Sequence, residues 1–413
     1  MGRKRLPDVA STRDGRDTEG FKYRAGGEFR AFDQKSGSSS PAGASLPQTE
    51  KADYPDKLQE EFRDRRFAHE DVPRLHPAEN GNTDQAAVRR RVGISRRRLT
   101  VALATSCVTW SMRAMSAFTP PGPEERQEAI GPTNRLPGPL RRALEPRADF
   151  APLPQPQPSD WHANHPERGQ SFADFVRSGM KRPDRQHQKL YLQPLGEFAA
   201  GASPSLAQLR AFAAAFFTLE VDVLAALDVA RSGVTTRLNP HKRNRQLLTT
   251  DILTLLRTRV PQDAYAILGI TMEDLYPDPS WNFVFGQASL REGVGVYSFA
   301  RYDPRFNDPQ ARASGTLLLQ RSCKVLAHEM THMFGVQHCI YFHCLMNGSN
   351  HLAESDARPI HMCPVDLRKL QESIGFDVVG RYRRLLQFYL SAGFTEEASW
   401  LSRRLDFITR ESR

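Results

Sequence analysis

Two histidines and a glutamate in one short segment have the spacing of a metal-dependent hydrolytic site. His328, Glu329 and His332 form an H-E-x-x-H motif. At about 3.6 residues per turn, the two histidines lie on one face of a helix, where both imidazoles can reach a single ion. Glu329 is rotated by about 100° from His328 and can flank a metal-bound water without ligating the metal. The motif therefore predicts a zinc site.

The residues after this motif supply a third ligand. Gly335 falls where a left-handed residue would end the helix, because glycine has no Cβ to clash in that conformation. The chain then turns back, and His338 can offer a third nitrogen. Three protein ligands with an open fourth position are typical of a catalytic zinc site.

A second group of metal-ligand types overlaps the first. Cys339 and Cys344 are separated by four residues, and Cys363 precedes Asp366 by three. This spacing predicts a tetrahedral zinc site closed by a remote Cys-x-x-ligand pair. Two alternatives are three reduced, buried structural thiols and a disulfide between Cys339 and Cys344.

The elements that must position these residues begin near residue 189. Alternating and helical patterns of apolar residues predict a mixed β-sheet with helices packed against it, an α+β fold. The predicted strands span residues 190–195, 221–227, 264–268, 283–285 and 294–299. The predicted helices span residues 206–217, 247–260, 316–334, 381–390 and 396–407.

The first part of the chain has a different composition. It holds 17 of the 29 prolines before residue 160, and its first 150 residues carry a net charge of +6 (27 Lys+Arg, 21 Asp+Glu). We expect residues 1–165 to be a mostly disordered, basic and Pro-rich extension, and residues 166–413 to be the catalytic domain. The apolar run at 99–112 is too short to span a membrane, so it is either a partner-binding segment or a recessed targeting signal.

Composition excludes several classes of protein. Hydrophobic residues make up 39% of the chain, which excludes a membrane-embedded protein, and five cysteines are too few for a disulfide scaffold. The net charge is +10 (57 − 47), but basic and acidic residues alternate and no aromatic ladder accompanies them. This charge pattern predicts no specific nucleic-acid partner. We also expect no membrane span and a monomer. Free thiols and the lack of a convincing signal favour a location in the cytoplasm or nucleus.

The metal-site segment resembles that of the archaemetzincins, a branch of the metzincin metallopeptidases. Upstream, YLQPLG at 191–196, NPHKRNRQ at 239–246 and WNFVFGQAS at 281–289 also resemble eukaryotic members. The likeness covers roughly residues 170–390, so the sequence is similar to a eukaryotic archaemetzincin with a long N-terminal extension. It is carried by His328, Glu329, His332, Gly335, His338, Cys339, Cys344, Met346 and Cys363.

The resemblance implies a compact metzincin-like catalytic domain with a cleft before a smaller C-terminal subdomain. It implies a catalytic zinc on the three histidines, with Glu329 as general base. Met346 would be the Met-turn residue beneath this zinc, or an ordinary core methionine if the resemblance fails. Some metzincins have a tyrosine two residues later; here that residue is Gly348, so we assign none.

Family members carry a second zinc on four cysteines. Cys339, Cys344 and Cys363 match three of these, and Asp366 stands at the fourth position, with His361 or His343 as possible substitutes. A carboxylate can ligate zinc, although it is a harder ligand than a thiolate. The resemblance thus implies two zinc ions, one catalytic and one structural.

These observations predict a zinc metallopeptidase that hydrolyses peptide bonds with a zinc-bound water. A peptide or protein substrate would lie in extended form on the strand at 294–299, if that strand is an edge. The alternative is a zinc-stabilised peptide- or nucleic-acid-binding protein with a latent peptidase site.

Overall fold

The computed structural model describes residues 118–179, 182–199, 203–289, 292–312 and 314–410. The apolar run at 99–112 and the rest of 1–117 lie outside the described residues. The helices are α1 (Pro123–Ile130), α2 (Gly138–Ala143), α3 (Trp161–Asn164), α4 (Phe172–Arg177), α5 (Leu206–Phe217), α6 (Thr249–Arg257), α7 (Gly315–His332), α8 (Leu352–Ala357), α9 (Pro364–Ile374), α10 (Val378–Ala392) and α11 (Thr395–Thr409). The strands are β1 (Lys189–Leu195), β2 (Val221–Val223), β3 (Thr236–Leu238), β4 (Arg245–Leu248), β5 (Ala264–Thr271), β6 (Asp274–Tyr276), β7 (Gly286–Ser289) and β8 (Val294–Ser298).

A five-stranded mixed sheet forms the centre of the fold, as the sequence predicts. Its strand order is β2-β1-β5-β8-β7, with β7 antiparallel to β8 and the other pairs parallel. Strands β3, β4 and β6 form a small second sheet. The candidate edge strand at 294–299 is not an edge, because β8 is paired with β5 on one side and with β7 on the other. Within the described ranges, the two edge strands of this sheet are β2 and β7.

Alternate residues of β1 face two separate hydrophobic clusters, because side chains on a strand point to opposite faces in turn. Leu190 and Leu192 pack in the larger cluster with Phe212 of α5 and Leu326 of α7. Tyr191 and Leu195 join the smaller cluster with Ile252 and Leu256 of α6. The sheet therefore separates α6 from α7.

Most predicted elements are confirmed, two are displaced, and the strand predicted at 221–227 is shortened to Val221–Val223. The helix predicted at 247–260 begins at Thr249, because Leu247 and its neighbours form β4. The strand predicted at 283–285 is reduced to one bridge at Val284, and the paired segment starts at Gly286. There Phe283 lies under the guanidinium of Arg301, at 3.4 Å from its ring centre.

The expectation that residues up to 165 are disordered is wrong for residues 118–165. Helices α1 and α2 lie in this stretch, and Ile130, Leu144 and Phe150 are buried in the larger hydrophobic cluster. Arg404 of α11, itself fully buried, donates hydrogen bonds to Asp149 Oδ2 (2.9 Å) and to the carbonyl of Ala143 (3.1 Å). The folded domain therefore includes residues before 166, and composition misled because the prolines lie between packed helices.

None of the helices in the described ranges combines the length and the apolar character that a membrane crossing requires.

Candidate active site

Three histidines converge at the end of α7. His328 and His332 lie one turn apart on this helix, and their Nε2 atoms are 3.1 Å apart. His338 comes from the following loop, and one nitrogen of each ring lies within 4.8 Å of the others. The turn between them uses Gly335 at φ +80°, with its N–H donating to the His332 carbonyl at 2.8 Å. The left-handed glycine predicted from the sequence is confirmed.

The second nitrogen of each ring is held by an acceptor. His328 Nδ1 donates to the Leu345 carbonyl (2.9 Å) and His332 Nδ1 to the Val336 carbonyl (2.6 Å). His338 Nδ1 donates to Glu167 Oε1 at 2.8 Å. Since these oxygens can only accept, the rings carry their protons on Nδ1, and their Nε2 lone pairs are free to bind a metal.

The rings of His328 and His332 are neutral, as metal ligands must be. Burial lowers the pKa of His332 to about 3 and lowers the pKa of His328 far below its ordinary value. Nitrogens of a tetrahedral zinc site, each about 2.0–2.1 Å from the ion, lie roughly 3.3 Å from one another. The 3.1 Å between His328 and His332 is close to that spacing, so the donor set fits zinc.

Glu329 lies next to His328 on α7, and no hydrogen bond engages its carboxylate within the described part of the chain. Burial raises the pKa of this carboxyl group, while the charges of His338 and Arg358 oppose the rise. A carboxylate that is desolvated and free of partners can accept a proton from water near the three imidazoles.

The loop after His338 folds back toward the helix. The Cys339 N–H donates to the Met346 carbonyl at 2.8 Å, and Met346 is fully buried. Asn347 closes the loop by donating to the carbonyls of Cys339 (2.8 Å) and Phe342 (2.9 Å). Met346 is thus placed in the return loop, and its role beneath the metal stays a prediction.

Trp161 occupies the position beside Gly348. A Cβ on this glycine would lie 2.3–2.5 Å from three atoms of the Trp161 indole, so no side chain fits there. The indole also stands edge-on to the His338 ring, with centroids 5.1 Å apart. An aromatic residue from the N-terminal part of the domain therefore packs against both Gly348 and the His338 ring.

A second cluster brings together the four residues predicted from the cysteine spacing. One ligand atom from each of Cys339, Cys344, Cys363 and Asp366 lies within 4.8 Å of the others, and all four residues are fully buried. The Sγ atoms of Cys339 and Cys363 are 3.6 Å apart. All three thiols are free, so this structure has no disulfide between Cys339 and Cys344.

Asp366 presents one oxygen to this cluster and the other to a lysine. Its Oδ2 lies 3.3 Å from the Sγ atoms of both Cys344 and Cys363, whereas Oδ1 accepts from Lys369 Nζ at 2.9 Å. Burial raises the pKa of Asp366 to about 6, and Lys369 opposes the rise. His361 is engaged elsewhere, stacked on Trp400 with centroids 3.7 Å apart.

Two site residues were missed by the sequence analysis. Glu167 and Trp161 lie in the stretch around the predicted boundary at 165, and Trp161 Nε1 donates to Glu167 Oε1 at 3.0 Å. No periodicity or ligand spacing marks either residue, because their partners are distant in sequence. No short motif can link Glu167 to His338, because 171 residues separate them in the chain.

The basic stretch at 237–245 is largely used within the fold. Arg237 lies over the Tyr276 ring at 3.9 Å and donates to the Pro279 carbonyl at 2.9 Å, and Arg245 pairs with Glu273 at 2.5 Å. Arg237 and Arg245 therefore have partners within the fold, and the expectation of no specific nucleic-acid partner stays a prediction.

Comparison with known proteins relates the chain to one family. The model for Peptidase family M54 matches residues 242–372, which include both clusters. Archaemetzincin-2 of Mus musculus is 40% identical over 278 residues, covering 60% of this chain and 77% of that protein. Archaemetzincin-1 of Homo sapiens is 35% identical over 255 residues, covering 55% and 51%. The crystal structure of Archaemetzincin from Methanopyrus kandleri is 31% identical, with TM-score 0.35, covering 46% of this chain and 97% of that chain.

Proposed function

This chain belongs to the archaemetzincin family of metallopeptidases, and from that premise we propose that it hydrolyses peptide bonds with zinc held by His328, His332 and His338. The observation that carries the proposal is the arrangement of these rings. Each Nδ1 is occupied by an acceptor, and the Nε2 atoms of His328 and His332 are 3.1 Å apart. Three imidazoles with one open position suit catalytic zinc.

Zinc bound at this site supplies Lewis acidity, which lowers the pKa of a water molecule and polarises the substrate carbonyl. Glu329 then acts as general base: its carboxylate takes the proton from the attacking water and delivers it to the leaving amine. The absence of a hydrogen-bond partner on Glu329 among the described residues leaves both carboxylate oxygens free for this transfer. The raised pKa of Glu329 helps the carboxyl group to hold the proton between its uptake from water and its delivery to the leaving amine.

The edge strand β7 is the place where an extended substrate backbone is expected to pair. Of the strands described, β7 ends the five-stranded sheet, and its other side has no strand partner. Backbone N–H and C=O groups at such an edge can hydrogen-bond an added strand. The proposed substrate is therefore a peptide or an extended protein segment.

The second cluster is proposed to hold a structural zinc. Cys339, Cys344, Cys363 and Asp366 supply four ligand atoms, and no position is left open for water or substrate. Because Cys339 directly follows His338, a metal here would stabilise the loop that carries the third ligand of the catalytic site. The monomeric state and a location in the cytoplasm or nucleus stay predictions.

The experiment that tests the function is a digest of a peptide library with the wild type and with Glu329→Gln. Removing a general base lowers turnover by about 10²–10⁴-fold, while zinc content should be unchanged because Glu329 is not a ligand. His332→Ala should lose both activity and the zinc of this site. Glu128→Gln, an exposed carboxylate on α1, is the matched control and should behave as the wild type. Full activity in Glu329→Gln would contradict the mechanism.

A further inference from the structure

The third histidine of the zinc site, His338, is held by a residue that is distant in the sequence. His328 and His332 belong to one helix, and their Nδ1 partners are backbone carbonyls of nearby loops. His338 lies beyond the helix end, and its Nδ1 partner is the carboxylate of Glu167, 171 residues earlier in the chain. Glu167 also lies outside the residues 242–372 that match the family model.

We propose that Glu167 is a positioning residue for the catalytic metal, which fixes the ring and the tautomer of His338 so that Nε2 faces the ion. This inference rests on the proposed function of the three histidines. A neutral imidazole has one ring proton, and a carboxylate only accepts hydrogen bonds. The contact at 2.8 Å therefore holds the proton on Nδ1 and leaves the lone pair on Nε2.

Glu167 is itself held in place. Trp161 Nε1 donates to the same oxygen, Oε1, at 3.0 Å, and the buried His162 lies 3.5 Å from Oε2. The Trp161 indole is confined in turn by Gly348, against which it packs too closely for any Cβ. Two donors that converge on one oxygen restrict the carboxylate to a single orientation.

The segment around Glu167 also clamps the turn that carries His338. The Gln170 side chain donates to the Gly335 carbonyl at 3.1 Å and accepts from the Gln337 N–H at 3.2 Å. Gly169 lies so close to Ile340 that a Cβ would come within 2.5 Å of it. Residues 161–170 thus contact the turn on both sides of His338. They are an integral part of the active site, not a linker that leads to it.

The tautomer can be measured without metal. In zinc-free protein, the ¹⁵N shifts of the His338 ring should show Nδ1 protonated in the wild type. Glu167→Gln should keep this pattern, because Trp161 and His338 both donate to Oε1 and hold the amide oxygen in the same place. Glu167→Ala should lose the single tautomer.

Zinc affinity, measured by competition with a chelator, is the second readout. Loss of such a carboxylate partner weakens metal binding by about 10–100-fold. We expect this loss in Glu167→Ala, a smaller loss in Glu167→Gln, and no change in Glu372→Gln, a control carboxylate on the exposed side of α9. Melting curves of the zinc-free variants separate these losses from a general loss of stability.

Two results would overturn the inference. One is a Glu167→Ala protein that keeps the Nδ1 tautomer and binds zinc within twofold of the wild type. If Glu167→Ala does not fold, a Glu167→Gln protein with the opposite tautomer and unchanged zinc affinity would overturn it equally. A wild type that binds zinc but cleaves no peptide would instead count against the proposed function, since the tautomer measurement does not depend on catalysis.

Discussion

At the scale of single residues, Asp366 stands where the resemblance implied a fourth cysteine. Its carboxylate reaches Cys344 and Cys363 with Oδ2 and pairs with Lys369 through Oδ1. Lys369 is fully buried, so its charge has lost its hydration and depends on this partner. Any replacement of Asp366 must therefore also account for the lysine.

The first prediction concerns zinc retention by this cluster. The double variant Asp366→Cys/Lys369→Met should hold zinc longer against a chelator than the wild type, because a fourth thiolate is a softer ligand for zinc and no unpaired lysine remains. Cys363→Ser should release the metal sooner. Zinc per chain, expected near two in the wild type, should fall toward one in Cys363→Ser.

The single variant Asp366→Cys is the control for the lysine. Removing one partner of a buried ion pair costs about 3–5 kcal/mol of stability, so this protein should melt well below the double variant. A wild type that contains one zinc and whose Cys339, Cys344 and Cys363 are all alkylated in the native state would contradict the second site.

The second prediction concerns acid stability and His361. Burial, with His343 and Arg404 nearby, lowers the pKa of His361 to about 3. Between about pH 6.5 and 3 the unfolded chain binds a proton that the folded chain does not, so stability falls as the pH falls through this window. His361→Phe keeps a ring against Trp400 and should lose less stability between pH 7 and pH 5, by up to about 2 kcal/mol. Denaturant unfolding at both pH values measures this, and parallel losses in the two proteins would refute it.

At the scale of elements, the active site depends on how α7 ends. The helix stops at His332, and Gly335 at φ +80° turns the chain so that His338 returns toward the two helical histidines. Helix α9 ends in a comparable way, with Gly375 at φ +77°. The same backbone conformation thus occurs at the metal site and at a helix end away from it.

The third prediction uses these two glycines as a matched pair. A left-handed conformation costs a non-glycine residue about 1–2 kcal/mol, so Gly335→Ala and Gly375→Ala should lose similar stability. Only Gly335→Ala should also weaken zinc retention and activity, because only its turn carries a ligand. Unfolding curves and zinc competition measure the two effects, and equal zinc affinity in both variants would show that the turn does not set the position of His338.

At the scale of the whole molecule, the described part of the N-terminal region and the C-terminal helices form one packed unit. Arg142 donates to the Ile408 carbonyl at 2.9 Å, and Arg368 donates to the Pro132 carbonyl at 2.8 Å. Leu140 and Phe150 lie in the same hydrophobic cluster as Leu401. The region before residue 166 therefore contributes to the hydrophobic core. It also supplies Trp161, which donates a hydrogen bond to Glu167.

The fourth prediction compares two truncated proteins. A variant with residues 118–413 should fold and bind zinc, whereas one with residues 166–413 should be unstable. Ile130, Leu140, Leu144 and Phe150 each contribute about 1.5–3 kcal/mol by burial, a sum comparable with the roughly 5–15 kcal/mol that stabilises a whole domain. Circular dichroism melting curves measure the difference. Equal melting temperatures would show that the folded domain begins at residue 166, as the sequence predicted.

Spacings along the chain were sufficient to predict the local chemistry of the site. The pairing of His328 with His332, the turn at Gly335 and the helix at 206–217 all follow from spacings within a few turns of chain, where helix geometry decides which side chains meet. The cysteine spacing likewise predicted a cluster that the fold brings together.

The distant groups that complete these motifs are identified by the three-dimensional packing of the chain. Glu167 meets His338, Asp366 faces the thiols while His361 stacks on Trp400, and β7 takes the edge that the sequence assigned to residues 294–299. Each of these outcomes depends on how elements far apart in the chain pack against one another. Composition and periodicity report only on neighbours along the chain, and so they could not reveal that residues 161–170 contact the turn that carries His338.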